Sequence, residues 1–227
     1  MVTQERTARA RRGSLSQDRI VDAAMRLLDG EGESALTFSR LGHELRVSPT
    51  AIYRHFSSRD EIIAAIADHL DELSLEGYEP TDEWRADLTD LAVRAWETAT
   101  GHPAAAAAAM FTVTSGIHEL RAVDSVLRAL HAAGLRDDVA VSYYRAFVSL
   151  FLGVSAAHAV RLSQQGRTLQ TAEWTQVYRP TDPTRYPYAE AAKEQLRFTD
   201  PSEVYRMHID MYLDSVAQAP RAGDDRV

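Results

Sequence analysis

The stretch "LTFSRLGHELRVSPTAIYRHFSSRDEIIAAI", residues 36–66, decides the fold. Thr37 is placed to cap a short helix whose inner face carries Phe38, Leu41 and Leu45 at helical spacing. "RVS" then makes a tight turn. Ser48 caps the next helix, with Pro49 at its first position, where a missing N–H leaves nothing unsatisfied. Ile52 and Phe56 turn inward. A further helix opens near Ser58 with Asp60 and Glu61 in its first turn, where carboxylates favour the helix dipole. It runs on through Ile62, Ile66, His69, Leu70 and Leu73 to about residue 76. Two short helices joined by a tight turn make a helix-turn-helix unit.

Upstream, Ile20, Ala23, Ala24, Leu27 and Leu28 form an apolar stripe, predicting a helix over residues 16–29 with Ser16 as its cap. "DGEGES" ends it. Downstream, after "GYEPTD", the spacing predicts helices over residues 82–100, 103–111, 116–133, 137–165 and 201–217. Residues 166–200 read as a long loop with a short helix over 188–196. No alternating strand pattern and no internal repeat occurs, so the fold class is all-α. The organisation is a flexible basic arm (1–15), a helix-turn-helix DNA-binding domain (16–62) and a larger helical ligand-binding and dimerisation domain (63–227).

Charge divides the same way. The chain is acidic, at formal net charge -8. Residues 1–59 hold 10 Arg against 7 acids, while residues 60–227 hold 15 cations against 26 acids. A basic head on an acidic body suits a nucleic-acid reader joined to something else. The helix after Ser48 exposes Thr50, Ala51 and Arg54, and its N-terminal end can reach base edges in a major groove. Tyr53, His55 and Arg59 can donate to phosphate oxygens. The bland alternative makes Tyr53 and His55 ordinary packing residues, and Phe56 is read as core.

These residues resemble the DNA-binding signature of the tetracycline-repressor (TetR) family. "VSPTAIYRHF" followed by "SSRDEI" matches that family's recognition segment, and the likeness covers about residues 16–66. "GHPAAAAAAM", "LRALHAAGL" and "YRMHIDMYLDSV" are similar to segments of some C-terminal domains in the family. The resemblance implies a homodimeric repressor, released from palindromic operator DNA by a small-molecule effector. It assigns base-edge roles to Ser39, Pro49, Thr50, Ala51 and Arg54, and phosphate roles to Thr37, Tyr53, His55 and Arg59. Ser48 contributes its helix N-terminus. One departure stands out: the family's turn usually has Gly where this chain has Arg46. A left-handed residue there costs roughly 1 kcal/mol, and Arg46 can itself reach phosphate. The arm "RTARARR" suits either a minor-groove contact or a non-specific tether.

Candidates for an effector pocket, hydrophobic or aromatic in taste, are Trp96, Met110, Phe111, His118, Tyr143, Phe147, Phe151 and His158. Tyr143, Phe147 and Phe151 form one stripe at i, i+4 steps, which ordinary core or dimer packing explains equally well. Residues 137–165 and 201–217 are the expected dimer elements, with Gly153, Ser155, Ala156, Ala157 and Ala159 allowing close helix approach.

The chain has no cysteine, which excludes thiolate and disulfide chemistry and fits a reducing cytoplasm. Its eight histidines form no HExxH or similar close pair, so no metal and no cofactor is expected. Neither a phosphate-cradling Gly-rich loop nor a GxSxG elbow is present, so no catalytic residue is assigned. The N-terminus lacks a signal peptide's apolar run. No stretch approaches the roughly 20 apolar residues that span a bilayer, the segments 103–110 and 146–160 being interrupted or alanine-rich, so a soluble, cytoplasmic protein is expected. Two other readings stand beside the ligand-responsive repressor: a constitutive DNA-binding protein, and an all-α ligand carrier or enzyme with an incidental helix-turn-helix.

Overall fold

The computed structural model describes residues 15–81, 83–165, 184–198 and 200–221. The helices are α1 (Gln17–Glu31), α2 (Phe38–Leu45), α3 (Pro49–Ile52), α4 (Arg59–Ser74), α5 (Trp84–Gly101), α6 (Pro103–Ala109), α7 (Ile117–Ala132), α8 (Asp137–Phe147), α9 (Gly153–Gln165), α10 (Pro187–Phe198) and α11 (Pro201–Gln218). A 3-10 turn (Glu33–Ala35) precedes α2, and a π-helical turn (Val148–Leu152) joins α8 to α9. Among the described residues there is no strand, only an isolated bridge between Leu135 and Arg221. The fold is all-α.

Side-chain caps set the starts of the N-terminal helices. The hydroxyls of Ser16, Thr37, Ser48 and Ser58 each accept the backbone N–H three residues on, at 3.1–3.3 Å. Each satisfies an amide that a helix start otherwise leaves orphaned. Glu61 reaches back to the Ser57 N–H at 2.7 Å, closing the first turn of α4 reciprocally.

Two apolar clusters organise the chain. The first joins Ile20, Leu28, Leu41, Ile52, Phe56 and Ile62 of the N-terminal helices, and extends to Ala105, Ala106 and Ala109 of α6 and Ala159 of α9. The second packs Leu88, Leu130, Phe147, Phe151, Tyr205 and Tyr212 within the larger helical part. Helix α4 belongs to both regions. Its Ile62, Ile63 and Ile66 are core to the first, while α4 also packs on α5 and α7.

Several sequence expectations change. The third helix is a single turn of four residues, because the backbone leaves the helix after Ile52. Residues 137–165 do not form one regular helix, since the π turn inserts an extra residue into the ladder. Ser155, Ala156 and Ala159 are already buried within this chain, Ala159 in the cluster shared with α6 and Ser155 beside the Tyr205 hydroxyl, so they are not left free for another subunit. Ala157 is exposed.

The run Asp137–Gln164 is also long and apolar enough, by length and composition alone, to cross a membrane. Of its most apolar part, 28% is buried within this chain. The run corrects the expectation that no stretch approaches this length: Gly153 and Ser155 interrupt the run too mildly to lower its hydropathy. The arm "RTARARR" lies outside the described residues, as does most of the expected loop. Helix α10 stands where the short helix was expected, three residues longer overall.

Candidate nucleic-acid interface and ligand cavity

The turn between α2 and α3 is held by backbone geometry. Arg46 adopts φ 56°, ψ 43°, the left-handed conformation that ends α2, and the Val47 N–H reaches back to the Gly42 carbonyl at 2.9 Å. A Cβ on Gly42 would meet the Val47 carbonyl oxygen at 2.9 Å, so only glycine lets the turn close this tightly.

Around the turn, Ser39, Arg46, Ser48, Pro49, Thr50, Tyr53 and Arg54 are exposed, with Ala51, His55 and Arg59 partly so. Arg46 and Arg54 make no ion pair among the described residues. Arg59 pairs with Glu33 at 2.8 Å, so it would have to exchange a carboxylate for any other anion. Tyr53 is 54% exposed, yet its ring stacks flat on Phe38, with centroids 3.9 Å apart and planes 3° from parallel. The stack fixes the ring while leaving much of it open, which selects neither a buried core residue nor a freely rotating one. Phe38 was read as an inner-face residue. Its second role as a platform carries no sequence signal, because the two rings come together only when α2 and α3 fold back on each other. The Arg40 guanidinium is tied to Glu31, which holds the Glu31 carboxyl below its ordinary range.

A cavity of about 340 Å³ lies in the larger helical part, at the lower end of ordinary ligand sites. Its wall draws on α4, α5, the end of α6 with the loop after it, α7, α8 and the π turn. Most of the lining is apolar, including Leu70, Leu91, Met110, Val123, Val126 and Phe147. Of the residues singled out from sequence, Met110, Phe111 and Phe147 line it; Trp96, His118, Tyr143, Phe151 and His158 do not. Tyr143, Phe147 and Phe151 pack edge-on against Tyr212, with centroids 5.4–6.2 Å apart. Trp96 is stacked on His158 at 4.5 Å and packs against Tyr205. His118 lies 3.8 Å from Glu72.

The sequence reading missed the cavity's polar groups, among them Asp71 and Ser74 of α4, Thr98 of α5, Glu119 of α7 and Tyr144 of α8. One signal was available. Ala67, Asp71 and Leu75 fall at i, i+4, i+8, so Asp71 interrupts an otherwise apolar stripe. Burial, with Glu119 and Asp68 nearby, pushes the Asp71 carboxyl up to about 7. Burial and the same kind of acidic neighbours raise the Tyr144 phenol. No group of three or more His, Asp or Glu side chains placed to hold a metal occurs among the described residues.

A helix-turn-helix head carried on a larger helical part that encloses a cavity is the build of a helix-turn-helix regulator. The chain belongs to the TetR family of bacterial regulatory proteins. The pattern of "Bacterial regulatory proteins, tetR family" matches residues 20–66, and that of "Tetracyclin repressor-like, C-terminal domain" matches residues 76–218. A helix-turn-helix transcriptional regulator of Saccharopolyspora erythraea is 34% identical over 127 residues, 55% of this chain. The match spans 53%, about half, of that relative's length. Two solved structures share the fold. The Streptomyces coelicolor TetR family protein ActR, in complex with actinorhodin, has TM-score 0.74 at 20% identity, covering 89% of this chain and 95% of its own. BioQ, known from Mycobacterium smegmatis and solved with its double-stranded DNA operator, has TM-score 0.64 at 23% identity, covering 91% and 100%.

Proposed function

We propose that this chain is a repressor that binds a palindromic operator as a homodimer and leaves it when a small apolar molecule fills the cavity. One observation carries the reading: α4 contributes Ile62 and Ile66 to the core of the head, and Leu70, Asp71 and Ser74 to the cavity. A ligand that shifts α4 therefore moves the heads, provided it prefers one position of that helix over another. The head (16–62), the body (63–227) and the arm (1–15) divide the labour accordingly, with the division falling inside α4. The operator complex of BioQ and the actinorhodin complex of ActR support the two kinds of partner. The cavity favours this reading over constitutive DNA binding, and the likeness to helix-turn-helix regulators favours it over an enzyme. Acting on the chromosome would place the protein in the cytoplasm.

Ser39, Pro49, Thr50, Ala51 and Arg54 meet base edges in this reading. Thr37, Arg46, Ser48, Tyr53, His55 and Arg59 meet the backbone. Gel shifts on the DNA upstream of its own gene, at graded salt, test the reading. A specific complex should weaken steeply as salt rises. Tyr53→Ala should lower affinity alike on every sequence, whereas Arg54→Ala should relax preference at one base position by about 1–3 kcal/mol. Identical behaviour of both variants on all sequences would reject this assignment of roles, and absence of any duplex binding at low salt would reject the function.

A further inference from the structure

We propose that the cavity takes an apolar molecule bearing a protonated amine, with the amine held by the carboxylate of Asp71 and faced by Glu119. This rests on the effector-responsive reading above and adds the charge of the effector. The ionisable groups of the wall are two carboxyls and a phenol, Asp71, Glu119 and Tyr144; no Arg, Lys or His lines it among the described residues. An anion entering there would meet only negative charge, and a neutral molecule would bring no counter-charge to a carboxyl in an apolar site.

The acids near the cavity differ in what already holds them. Asp68 Oδ1 accepts the backbone N–H groups of His118 and Glu119 at 3.1 and 2.9 Å, anchoring the start of α7 to α4. Glu119 Oε2 accepts from Thr114 N and Oγ1, both at 2.7 Å, and from Ser115 N at 2.5 Å. Those two carboxylates are fixed in place by their donors. Asp71 is the exception. Its backbone carbonyl takes Ser74 Oγ at 2.9 Å, but no donor reaches its carboxyl among the described residues. It lines the cavity with partial burial, and an ammonium group would supply both the missing donor and the missing charge. The rest of the wall fits a hydrocarbon or aromatic body. Phe111 and Val113 line the cavity yet are 74% and 81% exposed, leaving an apolar approach from solvent.

Because the Asp71 carboxyl sits near 7, a cationic ligand must displace a proton below that pH. Amine binding should then strengthen as pH rises, by about tenfold between pH 6 and pH 8. The titratable groups facing Asp71 are Asp68 on its own helix, Glu119 on α7 and Tyr144 on α8. The walls from α5 and α6 contribute none.

Calorimetry on the full chain with three probes of one shape tests this: 2-(1-naphthyl)ethylamine, 2-(1-naphthyl)ethanol and 1-naphthaleneacetic acid. At pH 8 the amine should bind about tenfold or more tighter than the alcohol, with the acid weakest. Asp71→Asn should bring the amine down to the alcohol's affinity and remove its pH dependence, while the alcohol binds as before. That variant keeps the side chain's shape without the buried charge, so at pH 8 it should melt no lower than the wild type, which separates a lost ligand contact from a lost fold. If the alcohol or the acid matches the amine, or Asp71→Asn leaves the amine's advantage intact, the charge assignment is wrong and the cavity reading survives. If none of the three binds, both fall together.

Discussion

Arg46 holds a left-handed conformation that glycine adopts without strain, at φ 56° and ψ 43°. Arg46→Gly removes roughly 1–2 kcal/mol of strain, against a loss of about 0.4–1 kcal/mol from a looser unfolded chain. The net expectation is a variant more stable by about 0.5–1 kcal/mol, read as a higher urea midpoint at unchanged m-value. If Arg46 also meets a phosphate, the same variant should reduce the salt slope of operator binding by about one. A second strict position is Gly116, where a Cβ would lie 2.0 Å from Asp68 Oδ1. Gly116→Ala should therefore displace the Asp68 cap and destabilise by about 1–2 kcal/mol. In combination with Asp68→Ala the two losses should fail to add, since both remove one interaction; full additivity in thermal or urea unfolding would contradict the shared cap. At this scale the sequence was most legible where one side chain acts on its own backbone. Ser16, Thr37 and Ser48 cap as their positions predict, and Arg46 takes the conformation its place in the turn demands. The Phe38–Tyr53 stack depends on segments brought together in space, so nothing local announced it; Asp71 does break an apolar stripe locally, but the lack of a donor to its carboxyl is a tertiary fact.

Elements were legible to within a few residues at most boundaries, because apolar spacing and caps are local signals. The π turn was not. Tyr143, Phe147 and Phe151 keep their i, i+4 steps into it, and neither Pro nor Gly marks its start. It surfaces only as a tertiary fact: Val148, Ser149 and Leu152 line the cavity from it, in keeping with the habit of π turns to sit at functional sites. Tyrosine hydroxyls help hold the last helix onto this region. Tyr205 donates to the Ala92 carbonyl at 2.7 Å, Tyr212 to the Tyr143 carbonyl at 2.9 Å, and Tyr143 to the Ser215 carbonyl at 3.0 Å. Burial pushes the Tyr205 phenol up to about 12 and raises Tyr212 as well, so both remain protonated donors through neutral pH. Tyr143→Phe and Tyr212→Phe should each cost about 1 kcal/mol. Because the two bonds run in opposite directions across the same α8–α11 seam, the double variant should lose measurably less than the sum in a double-mutant cycle. A coupling of zero would mean that the helices dock through their apolar faces alone.

On the scale of the whole molecule, the question is what covers the apolar surface left open on α8, α9 and α11. Val204, Met207 and Met211 fall on one face of α11 and are 36%, 62% and 66% exposed, with Val141 of α8 and Val160 of α9 also open. The high hydropathy of Asp137–Gln164 has the same origin, a helix whose second face is also apolar. In the proposed dimer these faces meet a second copy of the chain. Methionine suits such a surface, being apolar and adaptable in shape. Replacing Met207 and Met211 together with glutamate places charges on an exposed surface of the single chain, where they cost its fold little. The same charges would be buried against like charges in a dimer, where they cost much. The double variant should therefore unfold with near wild-type urea midpoint, yet halve its mass in light scattering. Loss of the dimer removes the second head's effective concentration, so affinity for a full palindrome should fall by about 10²–10⁴-fold, while affinity for an isolated half-site stays the same. A variant that remains dimeric, or loses palindrome and half-site binding equally, would place the partner surface elsewhere.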